Sequence, residues 1–280
     1  MESGEPDSGR IRLDLAYDGT GFSGWARQPG LRTVQGVLED ALATIFRRHD
    51  APPRLTVAGR TDVGVHATGQ VAHVDLTPAQ LGSLRGDLAK RLNGIAGLDS
   101  DVRVFRSIAA PPGFDARFSA LWRRYEYRIA DAGALHDPRR RSHTLWHPAA
   151  LDAEAMHAAA QSLLGLHDFA AFCKPRDGAT TIRTLQEFTW ERDPDGVLIA
   201  RLQADAFCHS MVRALIGACV DAAADVVTLR DAAVRTSAFK VMPAKGLTLV
   251  EVGYPPDAEL AARAEQTRGK RSLADRQPVD

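Results

Sequence analysis

The sequence has no apolar run near the roughly 18 residues that a membrane-spanning helix needs, so no bilayer span is expected in these 280 residues. Its opening, MESGEPDSGR, lacks the basic start and apolar core of a secretion signal, and the expected location is the cytoplasm. Cysteine is scarce. Cys173, Cys208 and Cys219 form an odd set without a C-x-x-C pair, so neither a disulfide framework nor a zinc knuckle is indicated, and reduced, mostly buried thiols are expected. Cys208 and His209 do not read as nucleophile and base, because adjacent residues seldom face each other. Net charge is missing too: 35 basic residues balance 35 acidic ones, which argues against a polyanion ligand unless the charge is unevenly placed. A G-K-[ST] sequence is absent, so no nucleotide-phosphate cradle is supported.

What is present is enough apolar material, 45% of the chain, to bury a core in one large domain or two small ones. Charge is placed unevenly: between Ala116 and Leu145 seven arginines (117, 123, 124, 128, 139, 140, 141) face three acids, a stripe suited to phosphates or simply to solvent.

Periodicity divides the chain into two similar cycles without a literal repeat. Ile11, Leu13, Leu15 and Tyr17 alternate with polar residues as a strand with one buried face. Thr33 caps a helix with the apolar stripe Val34, Val37, Leu38, Leu42 and Ile45. Leu55 and Val57 lead into a glycine-rich loop, and Gln70 to Leu76 leads out as a strand. Thr77-Pro78 opens a helix expected to run through Leu81, Leu84, Leu88 and Leu92, followed by a strand over Val102 to Ile108. After Pro-Pro-Gly at 111 to 113, Trp122 to Ile129 reads as a strand, Asp152 caps a helix, and Thr184 to Ala204 reads as a hairpin turning at Asp193-Pro194-Asp195-Gly196. Met211 to Val220 is an amphipathic helix, Thr228 with Asp231 resembles a capping box that starts a short helix, and Leu247 to Val252 is a last strand. Residues 1–9 are expected to be a disordered tail, 10–113 and 114–255 two α/β subdomains, and 256–280 a mobile tail.

The glycine-rich loop carries the chemistry. Gly59, Gly64 and Gly69 bracket Arg60, Asp62 and His66, giving a backbone that can bring polar groups close to a ligand; the bland alternative is an Asx-turn at Asp62 beside a surface arginine. Asp62 with His66 and His73 gives a spacing that fits no strong metal-ligand motif, and Arg60 adds positive charge beside any cation, so no metal is expected. His66 is expected to order the loop through a backbone hydrogen bond.

The string GRTD-x-GVHA (Gly59 to Ala67) closely resembles the signature of the tRNA pseudouridine synthase A family. Further segments resemble that family in the same order: LAYDGTGFSGWARQ (Leu15 to Gln28), FDARFSALWRRYEYRI (Phe114 to Ile129), HDFAAF (His167 to Phe172), AFCHSMVRALIG (Ala206 to Gly217) and PAKGLTLVEV (Pro243 to Val252). The resemblance covers about Arg10 to Pro255. It implies an α+β pseudouridine synthase fold: two similar α/β subdomains, a joined and mainly antiparallel sheet, helices on one face, and an active-site cleft between the subdomains. It implies isomerisation of uridine to pseudouridine at positions 38, 39 and 40 of the tRNA anticodon stem-loop, by a cytoplasmic homodimer with no cofactor.

The resemblance also assigns roles. Asp62 is the single catalytic carboxylate, the nucleophile or a base. An ionised carboxylate in a dry cleft needs a cation nearby, and Arg213 matches the family's partner to that aspartate. Arg60 matches the arginine that helps displace the target base. Tyr125 matches the tyrosine that stacks on uracil and helps remove the C5 proton, and Leu247 the apolar residue on the other side of the base. Two other readings stand beside this one: a noncatalytic RNA-binding relative, whose binding falls steeply with salt, and a small-molecule hydrolase using Asp62 with His66.

Overall fold

Alternation at the start of the chain is realised as β1 (Arg10–Tyr17), in which Ile11, Leu13, Leu15 and Tyr17 are buried. The structure, a computed structural model, describes residues 9–175, 180–232 and 234–269. The expected disordered N-terminal tail lies outside them except for Gly9. The chain forms two units, residues 9–121 with 251–268, and residues 122–250.

In the first unit, α1 (Val34–Ile45) begins where Thr33 Oγ1 accepts the Gly36 N–H at 3.1 Å, a cap worth about 1 kcal/mol. β2 (Leu55–Val57) and β3 (His66–Asp75) flank the glycine-rich loop. The expected single helix after Thr77 is two helices, α2 (Pro78–Ser83) and α3 (Leu88–Ala96). Thr77 and Gln80 make a reciprocal capping box, but Leu84 is extended, Gly86 has φ +72°, and Asp87 restarts the helix by accepting the Lys90 N–H at 2.8 Å. Two glycines and a strong N-cap outweigh a leucine spacing whose Leu81 stays exposed. β4 (Val102–Ala109) pairs antiparallel with β1, which pairs antiparallel with β3. Leu38 and Leu42 of α1 and Leu88 and Leu92 of α3 are almost fully buried, each contributing about 1.5 to 3 kcal/mol of apolar burial.

In the second unit β5 (Trp122–Ala130) is followed by β6 (Leu145–Trp146), α4 (Ala153–Gln161) and β7 (Gly165–Asp168). Asp152 caps α4 through the Glu154 and Ala155 amides. β8 (Ile182–Arg192) and β9 (Leu198–Ala204) form the expected hairpin, its turn held by Asp193 Oδ1 accepting the Asp195 and Val197 amides. The strand order is β5-β9-β8-β7, antiparallel, with β6 parallel to β5.

α5 (Met211–Ala222) buries Met211, Ala214, Leu215, Ile216 and Cys219. The short helix α6 (Val226–Arg230) already contains Thr228, so the expected capping box is not formed; the chain reaches α6 from α5 through one 3-10 turn and needs no fresh start at Thr228. β10 (Leu247–Gly253) follows, and residues 257–268, expected as part of a mobile tail, form a 3-10 turn and α7 (Leu260–Arg268) with Leu260 and Ala264 buried. Residues 270–280 lie outside the described residues.

One further expectation is corrected. Cys173 and Cys208 are joined by a disulfide, with Cys219 free and buried; 35 residues of sequence separation hid a pair that the fold brings within 5.6 Å at Cα. Part of the arginine stripe is paired within the fold. Arg123 is buried and donates to the Asp205 carbonyl, while Arg128, Arg139 and Arg140 pair with Asp193, Asp137 and Asp195. No helix among the described residues is long and apolar enough to cross a membrane.

Candidate active site

The loop between β2 and β3 is held from its own first unit. Ala58 N–H donates to the Val71 carbonyl at 2.8 Å at one end, and Val65 N–H to the Asp62 carbonyl at 3.2 Å at the other, closing a turn in which Gly64 has φ +77°. Thr61 is buried. Its hydroxyl lies 2.8 Å from the Tyr17 hydroxyl, and its carbonyl accepts the Trp25 N–H at 3.0 Å. The Tyr-Asp-Gly segment touches the loop directly: a Cβ on Gly19 would sit 2.1 Å from the Val65 carbonyl oxygen, so only glycine fits. Gly19 N–H donates to His66 Nδ1 at 3.0 Å, the backbone bond expected of this histidine.

Asp62 is half-buried on this loop and Arg60, two residues earlier, is exposed. His73 accepts the Ala116 N–H at Nδ1, and a strand rise of about 3.3 Å per residue separates it from His66 by about 23 Å. The two imidazoles therefore cannot share one ion.

The second unit carries the other three residues. Tyr125, on β5, is buried and meets Phe207 edge to face at 5.2 Å between centroids. Arg213 lies in the first turn of α5. Its Nη2 donates to Ser210 Oγ at 3.0 Å and its Nη1 to the Met242 carbonyl at 3.3 Å, while the Met242 N–H donates to the Arg213 carbonyl at 3.1 Å. Ser210 is the one non-glycine residue with positive φ, +63°, among the described residues; that conformation costs about 1 to 3 kcal/mol and places its hydroxyl on the arginine.

Residues 242–247 are fastened a second time by Tyr127, whose hydroxyl donates to the Pro243 carbonyl at 2.7 Å; burial pushes this phenol well above its ordinary range. The segment ends on Leu247, buried at the start of β10. The structure thus puts Arg60 and Asp62 on one braced loop of the first unit, and fixes Arg213 and Leu247 to a common segment of the second.

Sequence reasoning gave no bracing role to Tyr17, Thr61, Ser210 or Tyr127. Tyr17 and Tyr127 read only as buried strand residues, and Thr61 was visible only as a letter inside the motif.

A family model described as tRNA pseudouridine synthase matches residues 159–255, about a third of the chain. Full-length relatives refine this. A tRNA pseudouridine synthase A of Leifsonia xyli is 64% identical over 282 residues, covering 94% of this chain and 98% of the relative. Those of Streptomyces griseus and Mycobacterium leprae are 54% and 50% identical, covering 97% and 94% of this chain and 97% and 96% of the relatives. The chain belongs to the tRNA pseudouridine synthase A family.

Proposed function

We propose that this protein isomerises uridine to pseudouridine in tRNA, at positions 38, 39 and 40 of the anticodon stem-loop, with Asp62 as its one reacting carboxylate. The reaction breaks the bond from ribose C1′ to N1, turns the uracil in place, joins C1′ to C5, and removes the C5 proton. Uracil never leaves, and no electron carrier is required.

The observation that carries this reading is the braced loop. Asp62 sits on a backbone tied to β1 through Thr61 and closed by its own turn, which suits a carboxylate that must meet one atom of a large substrate. Arg60 is exposed beside it, where it can enter the stem and offset the few kcal/mol that displacing a nucleotide costs. Arg213 is the cation that the family resemblance assigns to the reaction. Tyr125 stacks on the uracil and Leu247 covers its other side, contacts that hold a ring without fixing its rotation. The enzyme works in the cytoplasm as a homodimer, so that a chain of zero net charge presents a basic groove shared by two copies.

The test is positional. tRNA transcripts whose anticodon arm carries uridine only at 38, 39 or 40, with uridine kept in the D and TΨC arms, are incubated with the enzyme, digested, and analysed for pseudouridine. Conversion at these positions and not in the D or TΨC arm is expected. Conversion only outside the anticodon arm would overturn the assignment.

A further inference from the structure

We propose that Tyr17 and Gln70 are positioning residues for the reaction, forming a buried polar strut that sets the height of the Asp62 loop. This rests on Asp62 being the reacting carboxylate.

The strut has a direction. Gln70 is fully buried, and its Oε1 accepts the Val71 N–H at 3.2 Å, which turns Nε2 towards the loop. Nε2 then donates twice, to the Gly59 carbonyl at 2.8 Å and to the Tyr17 hydroxyl at 3.1 Å. The Tyr17 hydroxyl in turn shares a hydrogen bond with Thr61 Oγ1 at 2.8 Å. Gly59 and Thr61, the residues on either side of Arg60, are thus held from beneath by one chain of hydrogen bonds, and Asp62 is the next residue.

A separate observation supports the assignment. In the pairing of β1 with β3, Leu15 lies opposite Gln70 and Tyr17 opposite Ala67, so two steps on β1 span three on β3. The extra residue is a bulge, a device that re-aims a side chain at the cost of ladder pairing. Here it falls immediately before Gln70. A buried tyrosine ordinarily needs a partner for its hydroxyl, yet in this case both partners bear on the loop rather than on the surrounding core. Tyr17 also keeps its proton, since burial pushes the phenol up to about 12.

The strut acts on geometry and touches no substrate atom, so its loss should appear in the chemical step and not in tRNA binding. Misplacement of a reacting group by about 1 Å costs on the order of a hundredfold in rate. The experiment compares wild type, Tyr17→Phe, Gln70→Met, the double variant and Asp62→Ala. Single-turnover release of tritium from tRNA labelled at uridine C5 reads the chemical step; filter binding reads tRNA affinity, and thermal melting reads folding.

Each single variant should lose about 10- to 100-fold in single-turnover rate with tRNA affinity within about twofold, and the double variant should be no slower than the slower single one. Folded single variants within about twofold of wild type, equal losses in affinity, or losses that multiply in the double variant would overturn the strut. Should Tyr17→Phe not fold, Gln70→Met decides by the same criteria. Full activity of Asp62→Ala would instead refute the underlying function, whatever the strut variants do.

Discussion

Gly246 lies on the ring of Tyr127: a methyl group on its Cα would fall 2.7 Å from Tyr127 Cζ and 3.0 Å from the Arg128 carbonyl oxygen. The ring cannot retreat, because its hydroxyl is bonded to Pro243 on the same segment. Gly246→Ala should therefore cost about 1 to 3 kcal/mol of stability. It should also shift Leu247 and lower turnover by more than tenfold, measured by urea unfolding alongside tritium release. Unchanged stability would mean that the segment gives way freely.

His73 should make the fold acid-sensitive. Burial, reinforced by the Arg10 guanidinium, pushes its imidazole down to about 4 from an ordinary 6.5. Below 6.5 the unfolded chain takes up a proton that the folded chain refuses until about 4, so stability falls as pH drops through that window and is unaffected above it. The full effect is on the order of 3 kcal/mol. His73→Gln should flatten unfolding free energy against pH between 6.5 and 4; an unchanged slope would place the sensitivity elsewhere.

The cysteines give a countable outcome. With Cys173 and Cys208 joined and the buried Cys219 thiol pushed up to about 12, unreduced folded protein should show almost no reactive thiol. Denaturation should expose one, and reduction before denaturation three. Three thiols in denatured protein that was never reduced would show that the bond does not form.

Asp131 is fully buried and held by Nη1 and Nη2 of Arg192, at 3.0 and 2.8 Å, and by the Leu151 and Gly133 amides. The arginine, with those amides, keeps its carboxyl down at about 2. Asp131→Ala leaves four N–H donors, on exposed Arg192 and Gly133 and half-buried Leu151, without their acceptor and should cost about 1 to 3 kcal/mol in urea unfolding. A loss below 1 kcal/mol would show that water replaces the carboxylate.

Local rules were legible where neighbours in sequence carry them. Thr33, Thr77 and Asp152 cap the helices that their positions announce, and the Asp193 to Gly196 turn makes its hairpin. The break between α2 and α3 was masked by regular leucines, although Gly82, Gly86 and Asp87 favour it. Contacts between distant positions were not legible. Tyr17 meets Thr61 across 44 residues and Gln70 across 53, and no periodicity encodes such a meeting. The motif identified the loop that carries Asp62, while what holds that loop became visible only in the fold.

The most direct measurement is tritium release from tRNA labelled at uridine C5, with wild type and Asp62→Ala side by side and no added metal or nucleotide. The C5 hydrogen must leave when C5 bonds to C1′. Release by wild type and none by Asp62→Ala is the expected result. Equal release by both would remove Asp62 from the chemistry, and no release by either, with tRNA binding intact, would make the protein an RNA binder without catalysis.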